Sequence, residues 1–198
     1  LNKERHTIGS FDQTHIVKGY IVYELPFGKG KSLLPEAGRV LNALVGGWTV
    51  NSGFHYNSGN PLRITSTNWY PGMNNVYPNL VPGCNFHSGS FNGQIGSTYF
   101  NPACFANPTY GQFGNNPTYN PNVRGFGLAT EDIGVNKYFS FGTDGHYKLN
   151  VRYDMFNAFN RHSFNGPNTG VDGNLGKILD GGGTPGARVG QLGARFTF

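Results

Sequence analysis

The stretch Tyr147-Lys148-Leu149-Asn150-Val151-Arg152-Tyr153-Asp154-Met155 alternates apolar and polar residues without a break. Successive side chains of a β-strand point to opposite faces, so one face of this segment is apolar and the other carries charges and amides. Residues 189–198 repeat the alternation and end on Phe198. A soluble antiparallel sheet with its apolar face on a core could give the same pattern. Recurrence in segments of about ten residues favours transmembrane β-strands.

The whole chain divides into five such segments. They are predicted at residues 14–25, 46–65, 131–141, 147–159 and 189–198, with a short helical turn within 33–44. Lys137 interrupts the apolar row of the third segment, which suggests a bulge or a local shift there. The fold class expected is all-β: an antiparallel β-barrel segment of about five long strands with two long loops, part of a larger transmembrane barrel. Residues 1–198 then form one domain, the carboxy-terminal portion of an outer-membrane barrel, with long loops at 66–130 and 162–188.

The lengths of the connections alternate along the chain, which predicts an orientation. Outer-membrane barrels have short turns on the periplasmic side and long loops outside the cell. The moderate and short connections fall at 26–46 and 142–146, and the long ones at 66–130 and 162–188. This places the carboxy terminus in the periplasm. Five strands cannot close a barrel, whose smallest form has about eight, so we expect the strands to be the end of a longer barrel.

Composition supports an all-β chain. Of the 198 residues 37% are hydrophobic, 13% are charged and 31 are glycine, which disfavours helices. The net charge of +5 is scattered along the chain, so a nucleic-acid partner is not expected. No apolar run reaches the ~20 residues of a membrane-spanning helix. The chain opens with Leu1 and has no signal peptide, which suggests that it is cropped or processed.

A long segment without charged residues is the strongest candidate for ligand contact. Residues 64–123 contain no Asp, Glu, Lys or Arg but many aromatic and amide side chains. Such a segment is expected to be an ordered loop rather than a disordered tail. The side chains proposed to contact a neutral ligand are Trp69, Tyr70, Tyr77, Phe105 and Tyr110. The alternative, which is slightly favoured, is that these aromatic residues pack the loop against itself.

Both cysteines, Cys84 and Cys104, lie in this segment. In an oxidising compartment we expect them to form a disulfide that closes the loop. Two cysteines with His87 nearby make a weak metal site, so no metal and no cofactor are expected. The segment 28–32 lacks the first glycine of a phosphate-binding loop. No Ser, His and Asp set has the context of a catalytic nucleophile, and we expect that the protein is not an enzyme.

Several short motifs, each weak alone, occur in an order that resembles one family. The chain is similar to the carboxy-terminal part of TonB-dependent outer-membrane receptors, in particular the group with a carboxypeptidase-regulatory-like amino-terminal domain. The motifs are Tyr23-Glu24-Leu25-Pro26-Phe27-Gly28-Lys29-Gly30-Lys31, Gly46-Gly47-Trp48, Ser58-Gly59-Asn60-Pro61-Leu62, Phe100-Asn101-Pro102-Ala103-Cys104-Phe105, Arg124-Gly125-Phe126-Gly127, Phe156-Asn157-Ala158-Phe159-Asn160 and Gln191-Leu192-Gly193-Ala194-Arg195-Phe196-Thr197-Phe198.

The resemblance implies a 22-stranded barrel that is plugged by an amino-terminal domain and imports nutrients with energy passed on by TonB. The partners it implies are outer-membrane lipid, the remainder of the barrel and its plug, TonB through that plug, and the barrel-assembly machinery. This machinery would read an aromatic signal at Phe196 and Phe198. The plug and the TonB-contacting segment have no counterpart within the 198 residues.

Three functions are therefore compatible with the sequence. The first is the carboxy-terminal segment of an outer-membrane receptor for nutrient uptake at the cell surface. The second is a self-associating, β-rich surface or filament protein, because open strand edges can pair with another copy. The third is a secreted carbohydrate-binding sandwich with its apolar faces in a dry core.

Overall fold

The computed structural model describes residues 7–68, 70–73, 76–142, 145–183 and 185–198. The elements are β1 Ile16–Glu24, α1 Arg39–Val45, β2 Trp48–Asn57, β3 Pro61–Leu62, β4 Asn79–Leu80, β5 Phe105–Ala106, β6 Asn120–Arg124, β7 Leu128–Phe141, β8 Tyr147–Phe156 and β9 Val189–Thr197. They fall into two compact units. The sheet unit comprises residues 17–56, 129–161 and 185–198, and the loop unit comprises residues 1–16, 57–128 and 162–184.

The five long strands form one sheet in the order β1-β2-β7-β8-β9. Each long strand thus pairs with the next long strand along the chain, as in a meander. The pairs β7–β8 and β8–β9 are antiparallel. Within the described residues β1 and β9 are the edges, so the sheet is open. The all-β antiparallel fold predicted from the sequence is confirmed, with each of the five predicted segments contributing a strand.

The predicted faces are reproduced by the register of the sheet. On one face Leu149 lies between Phe139 and Phe196, and Tyr153 lies between Val135 and Leu192. On the other face the row across Asn150 consists of Tyr138 and Arg195. Because a shift by one residue would exchange the faces, this register keeps the apolar side chains of three strands on one side.

Lys137 stays in register on the apolar face, so the suggested bulge or shift was wrong. It pairs directly with Val151. Its Nζ donates to the carbonyl oxygens of Leu44 (3.4 Å) and Gly46 and lies 5.0 Å from the ring centroids of both Trp48 and Phe139. The ammonium is therefore stabilised by carbonyl dipoles and ring faces, and the pairing between β7 and β8 keeps its register without a bulge.

The connection between β1 and β2 is ordered by a short helix and by close contacts between its two ends. The helical turn predicted within 33–44 is present as α1, which begins later than predicted, at Arg39, and ends at Val45. The Asn42 side chain accepts a hydrogen bond from the Lys29 amide at 2.7 Å. A Cβ at Gly28 would lie 2.7 Å from Gly46 Cα, so two of the sequence motifs meet here and both need glycine. No helix in the described part of the chain is long and apolar enough to cross a membrane.

The predicted loop 66–130 contains strands that the sequence did not indicate. It contains β4, β5 and β6 as well as the start of β7. β3 pairs with β6, and β4 pairs with β5, both antiparallel. A hydrophobic core joins these pairs: Ile64, Phe100, Cys104, Phe105, Val123 and Leu175. The loop unit therefore folds around its own core.

Candidate ligand-binding site

A disulfide joins Cys84 and Cys104, which confirms the prediction. Cys104 is fully buried in the core of the loop unit. A short 3-10 turn, Pro102–Cys104, delivers it there, and the Asn101 side chain caps this turn by accepting a hydrogen bond from the Ala103 amide at 3.1 Å. The motif around residues 100–105 thus positions one half of the disulfide.

Two of the predicted ligand-contacting residues are buried. Phe105 is 5% exposed and belongs to the core, and Tyr70 is 8% exposed. The Tyr70 ring packs edge-on against Tyr110 at 5.2 Å. Its hydroxyl accepts a hydrogen bond from the Gly111 amide (3.0 Å) and donates one to the Gln112 carbonyl (3.1 Å). For these two residues the alternative interpretation, packing of the loop against itself, describes their surroundings.

The other three predicted residues differ from one another. Tyr110 is 75% exposed, and its ring contacts only Tyr70 among the aromatic pairs of the described residues. Tyr77 is half-buried, its hydroxyl accepts a hydrogen bond from Arg63 Nη2 at 3.1 Å, and the Arg63 guanidinium lies 5.7 Å from the ring centroid. Trp69 lies outside the described residues. Of the four described residues, Tyr70 and Tyr110 contact each other, whereas Phe105 belongs to the core and Tyr77 contacts Arg63.

A different part of the loop unit forms a cleft of about 430 Å³. Ligand sites of small molecules have volumes of about 300–1,000 Å³, so this volume is sufficient for one. We name it the amide cleft after its polar lining. Its walls carry neutral polar side chains and apolar rings, with no charged side chain among the described lining residues: Gln13, Asn57, Asn60, Leu62, Phe126, Leu128, Ser163, Phe164, Asn165 and four glycines.

Close backbone contact between two sequence motifs builds one wall of the cleft. A Cβ at Gly59 would lie 1.8 Å from the Gly125 carbonyl oxygen, so only glycine permits this approach. The Gly125 amide donates to the Asn60 carbonyl at 2.9 Å. Gln13 Nε2 donates to Asn60 Oδ1 at 3.0 Å. The motifs at 58–62 and 124–127 are thus neighbours in space, although more than sixty residues separate them.

An ion pair fixes the same wall from the side. Arg124 Nη2 lies 2.6 Å from Asp12 Oδ2. Its Nη1 donates to the carbonyls of Asp12 (3.0 Å) and Gly59 (3.2 Å). Because these hydrogen bonds are charge-assisted, Arg124 holds the amino-terminal stretch against the turn at Gly59.

Four aromatic rings support the cleft. Tyr99 and Phe126 have ring centroids 4.4 Å apart, and Phe164 lies 5.9 Å from Phe126. Phe91 contacts all three rings at 5.4–5.6 Å. Burial raises the pKa of Tyr99, so its hydroxyl stays protonated and donates to the Gly125 carbonyl at 3.3 Å. Phe126 and Phe164, the two rings that line the cleft, are therefore held in place by Phe91, and Phe126 also packs against Tyr99.

One polar atom of the lining has a hydrogen-bonding capacity that the described residues do not use. Asn57 Oδ1 is buried and has no hydrogen-bond partner in the part of the chain that the structure describes. A buried acceptor without a donor costs free energy. The Asn57 backbone also lies close to Gly127: a Cβ at Gly127 would lie 2.4 Å from the Asn57 carbonyl oxygen. The sequence offers no local signal for this cleft, because residues 13, 57, 126 and 164 come together only through the fold.

A second cleft of about 420 Å³ lies elsewhere in the loop unit. Phe86, His87, Tyr99 and Arg124 are among the residues that line it. Its arginine is already engaged with Asp12. No group of three or more His, Cys, Asp or Glu residues that could hold a metal ion occurs in the described ranges.

The sheet unit contains a polar cluster at the turn after β8. Both oxygens of Glu131 accept hydrogen bonds from Arg161 at 2.7–3.0 Å, and Tyr56 donates to the same carboxylate. The hydrogen bonds to Glu131 raise the pKa of the Arg161 guanidinium, so Arg161 stays charged. Asn157, at φ +50°, accepts from the Arg161 amide at 2.8 Å. The motif at 156–160 therefore shapes the turn that presents Arg161.

The proposed assembly signal is an exposed aromatic row. The Phe196 ring stacks on Tyr147 at 6.0 Å and on Phe198 at 6.0 Å. Phe196 is 52% exposed and Phe198 is 84% exposed. Phe141 extends the row, 6.2 Å from both Tyr147 and Phe196. Aromatic girdles of this kind mark the interfaces of membrane barrels, while recognition by the assembly machinery stays a prediction.

Comparison with known proteins identifies the family. A family model described as an outer membrane beta barrel domain matches residues 2–191. Neither the curated proteins nor the solved structures give a significant match. The description of the family indicates a bacterial outer-membrane location. This location agrees with a sheet that has apolar side chains on one face and polar side chains on the other. The chain belongs to the family of outer membrane β-barrel domains.

Proposed function

We propose that the chain is the carboxy-terminal barrel segment of a TonB-dependent receptor that imports a nutrient. The observation that carries the proposal is the match to an outer-membrane barrel over residues 2–191, together with the ordered series of receptor-like motifs. In the structure most of these motifs build specific contacts: the turn at 28–46, the wall at 59–125 and the disulfide at 104. Binding and passage of the nutrient are the proposed activity, without catalysis.

The partners follow from the open sheet. In a membrane every backbone group must find a partner within the protein. The edges β1 and β9 therefore pair with further strands, which we assign to the remainder of the barrel. A plug domain would occupy the interior and contact TonB, and the aromatic row at Phe196 and Phe198 would be read during assembly.

Connectivity of the strands supports an extracellular loop unit. The segments of this unit join the sheet at the amino end of β1, the carboxyl end of β2, the amino end of β7, and between β8 and β9. Long loops of outer-membrane barrels lie outside the cell, so we place the loop unit at the cell surface.

We propose a neutral ligand, hydroxyl-rich or peptide-like, rather than an anionic iron chelate. Residues 64–123 carry no formal charge apart from any contributed by His87. Electrostatic steering therefore contributes little to ligand capture. Exposed Tyr110, half-buried Tyr77 and the neutral amide cleft are the surfaces that could supply stacking and hydrogen bonds.

The experiment is a growth and uptake assay in the native organism. A strain lacking the gene is compared with its parent on neutral oligosaccharides and on neutral peptides as sole carbon sources. We expect slower growth on one of these classes, restored by the intact gene only when TonB is present. Normal uptake in both the gene-deleted and the TonB-deleted strain would contradict the proposal.

Self-association is the second candidate function, and the exposed edges β1 and β9 favour it. Unpaired strand edges are templates for another copy. The purified, membrane-extracted protein should then run as oligomers or filaments that proline substitutions in β1 or β9 dissolve. A monodisperse barrel with unchanged mass in those variants excludes this function.

A further inference from the structure

We propose that the amide cleft is a saccharide-binding subsite. The inference rests on the receptor function above, because it assigns a ligand class to a surface that the receptor would present outside the cell. The ring pair Phe126 and Phe164 and the amide side chains of Gln13, Asn57, Asn60 and Asn165 line the same cleft. None of these residues is among the ligand contacts proposed from the sequence, although Asn60 and Phe126 belong to the motifs at 58–62 and 124–127.

The polar lining suits hydroxyl groups. A side-chain amide carries two donors and one acceptor oxygen, and a serine hydroxyl both donates and accepts. A sugar hydroxyl likewise donates and accepts, so each can be satisfied by an amide without a charge. Four such amides and Ser163 surround the cleft of about 430 Å³. That volume lies in the range of sites that enclose a small ligand.

The apolar lining suits the other side of a sugar ring. The C–H faces of a pyranose are apolar and pack on flat aromatic surfaces through dispersion and burial. Phe126 and Phe164 are held 5.9 Å apart, with an interplanar angle of 40°. Their orientation does not depend on a ligand, because Phe91 contacts both of them.

The charges around the cleft favour a saccharide over a peptide. A short peptide brings an ammonium and a carboxylate, and burying either without an opposite charge is costly. The described lining residues include no charged side chain. Beside the lining, Arg124 and Asp12 neutralise each other at 2.6 Å, and the Asp180 carboxylate accepts a hydrogen bond from the lining residue Asn165 at 2.8 Å. The lining offers no cation to pair with the carboxylate of a peptide, and Asp180 would repel it, so an uncharged ligand is favoured.

Asn57 offers the sharpest test of the subsite. Its Oδ1 is a buried acceptor with no partner among the described residues, and Asn57 is one of the residues that line the cleft. The χ2 torsion of asparagine is soft, so a small rotation presents this oxygen to a hydroxyl in the cleft. Removing the amide should then weaken saccharide binding without destabilising the empty protein.

The experiment uses the purified full-length protein in detergent. Maltose, cellobiose and sucrose are titrated by calorimetry and by saturation-transfer NMR, with glucuronate and triglycine as charged competitors. The variants are Asn57→Ala and Phe164→Leu. The control is Gln94→Ala, an exposed amide that does not line the cleft. Circular dichroism and the intact disulfide establish that each variant is folded.

We expect at least one disaccharide to bind, and both cleft variants to weaken it about tenfold, as for the loss of one good buried hydrogen bond. Gln94→Ala should bind like the wild type. If Asn57→Ala does not fold, Phe164→Leu alone decides. The inference is overturned if no disaccharide binds, if triglycine or glucuronate binds as tightly, or if binding ignores the cleft variants.

This result is separable from the test of the receptor function. TonB-dependent uptake without any saccharide binding removes the subsite and leaves the receptor. Saccharide binding that depends on Asn57 and Phe164, without TonB-dependent uptake, leaves the subsite and removes the receptor.

Discussion

The two units of this chain differ in whether they bury a core of large apolar side chains. The loop unit has a buried apolar core, as Ile64 (0% exposed), Phe100 (3%) and Leu175 (3%) illustrate, although other apolar residues such as Ile95 (61%) are exposed. In the sheet unit large apolar residues are exposed, among them Ile21 (57%) and Leu192 (73%). Exposed apolar patches mark contact surfaces, and an outer-membrane barrel offers one: the lipid. This difference supports our proposal that the chain meets two solvents, with water around the loop unit and lipid against one face of the sheet.

The largest expected effect is a charge on the lipid face. Val151→Arg should lower the free energy of unfolding by about 2–4 kcal/mol if the residue lies near the bilayer midplane. The matched control is Gln191→Arg, which introduces the same side chain on the other face, opposite Asp154. Folding in lipid vesicles, followed by the heat-dependent shift in gel mobility, measures both. Equal destabilisation by the two variants would remove the distinction between the faces.

The second prediction separates the units by means of the disulfide. The Cys84→Ala, Cys104→Ala double variant should lose roughly 3 kcal/mol, since the bond closes a loop of moderate length. The loss should be confined to the loop unit, because both cysteines belong to it. Hydrogen exchange should accelerate around residues 79–106 and stay slow in β8. Acceleration throughout β8 would show that the two units do not unfold independently.

The third prediction concerns the close approach at Gly59. Gly59→Ala places a methyl group 1.8 Å from a backbone oxygen, and we expect a cost of about 1–3 kcal/mol from overpacking. Gly173→Ala is the matched control in the same unit, with nothing within 4 Å of the added Cβ. Limited proteolysis of the loop unit compares the two. If Gly59→Ala resists protease as well as Gly173→Ala does, the wall of the amide cleft is not rigid.

The smallest expected effect concerns Lys137, the one cation within the apolar face of β7. Lys137→Met keeps the length of the side chain and removes the donors to Leu44 and Gly46. We expect a loss of about 1 kcal/mol, the net value of a typical hydrogen bond, seen as faster hydrogen exchange in α1. An unchanged exchange rate in α1 would mean that the Lys137 contacts do not anchor this turn.

The sheet could be predicted from the sequence because its signal is local. Alternation between Tyr147 and Met155 depends on neighbouring residues, and the fixed period of two sets the faces. The prediction was wrong at Lys137, whose contacts are with carbonyl groups about ninety residues away, and at the end of the second strand, which stops at Asn57 rather than at residue 65. No pattern within β7 contains that information.

The loop unit could not be predicted in the same way, because its contacts are distant in sequence. The core joins Ile64 to Leu175, and the amide cleft joins Gln13 to Phe164. Composition indicated an ordered segment and a disulfide, which the structure confirms. It could not separate the aromatic residues that form the core, such as Phe105, from those that keep an exposed face, such as Tyr110.

The central claim is that the two faces of the sheet meet different solvents, and site-directed spin labelling tests it most directly. Nitroxides are placed one at a time at positions 149 to 154 of β8 in the full-length protein in vesicles. We predict a period of two: labels at 149, 151 and 153 are relaxed mainly by oxygen dissolved in lipid, and those at 150, 152 and 154 by a water-soluble nickel chelate. Labels at 149, 151 and 153 that neither reagent reaches, or the opposite pattern, would contradict the account.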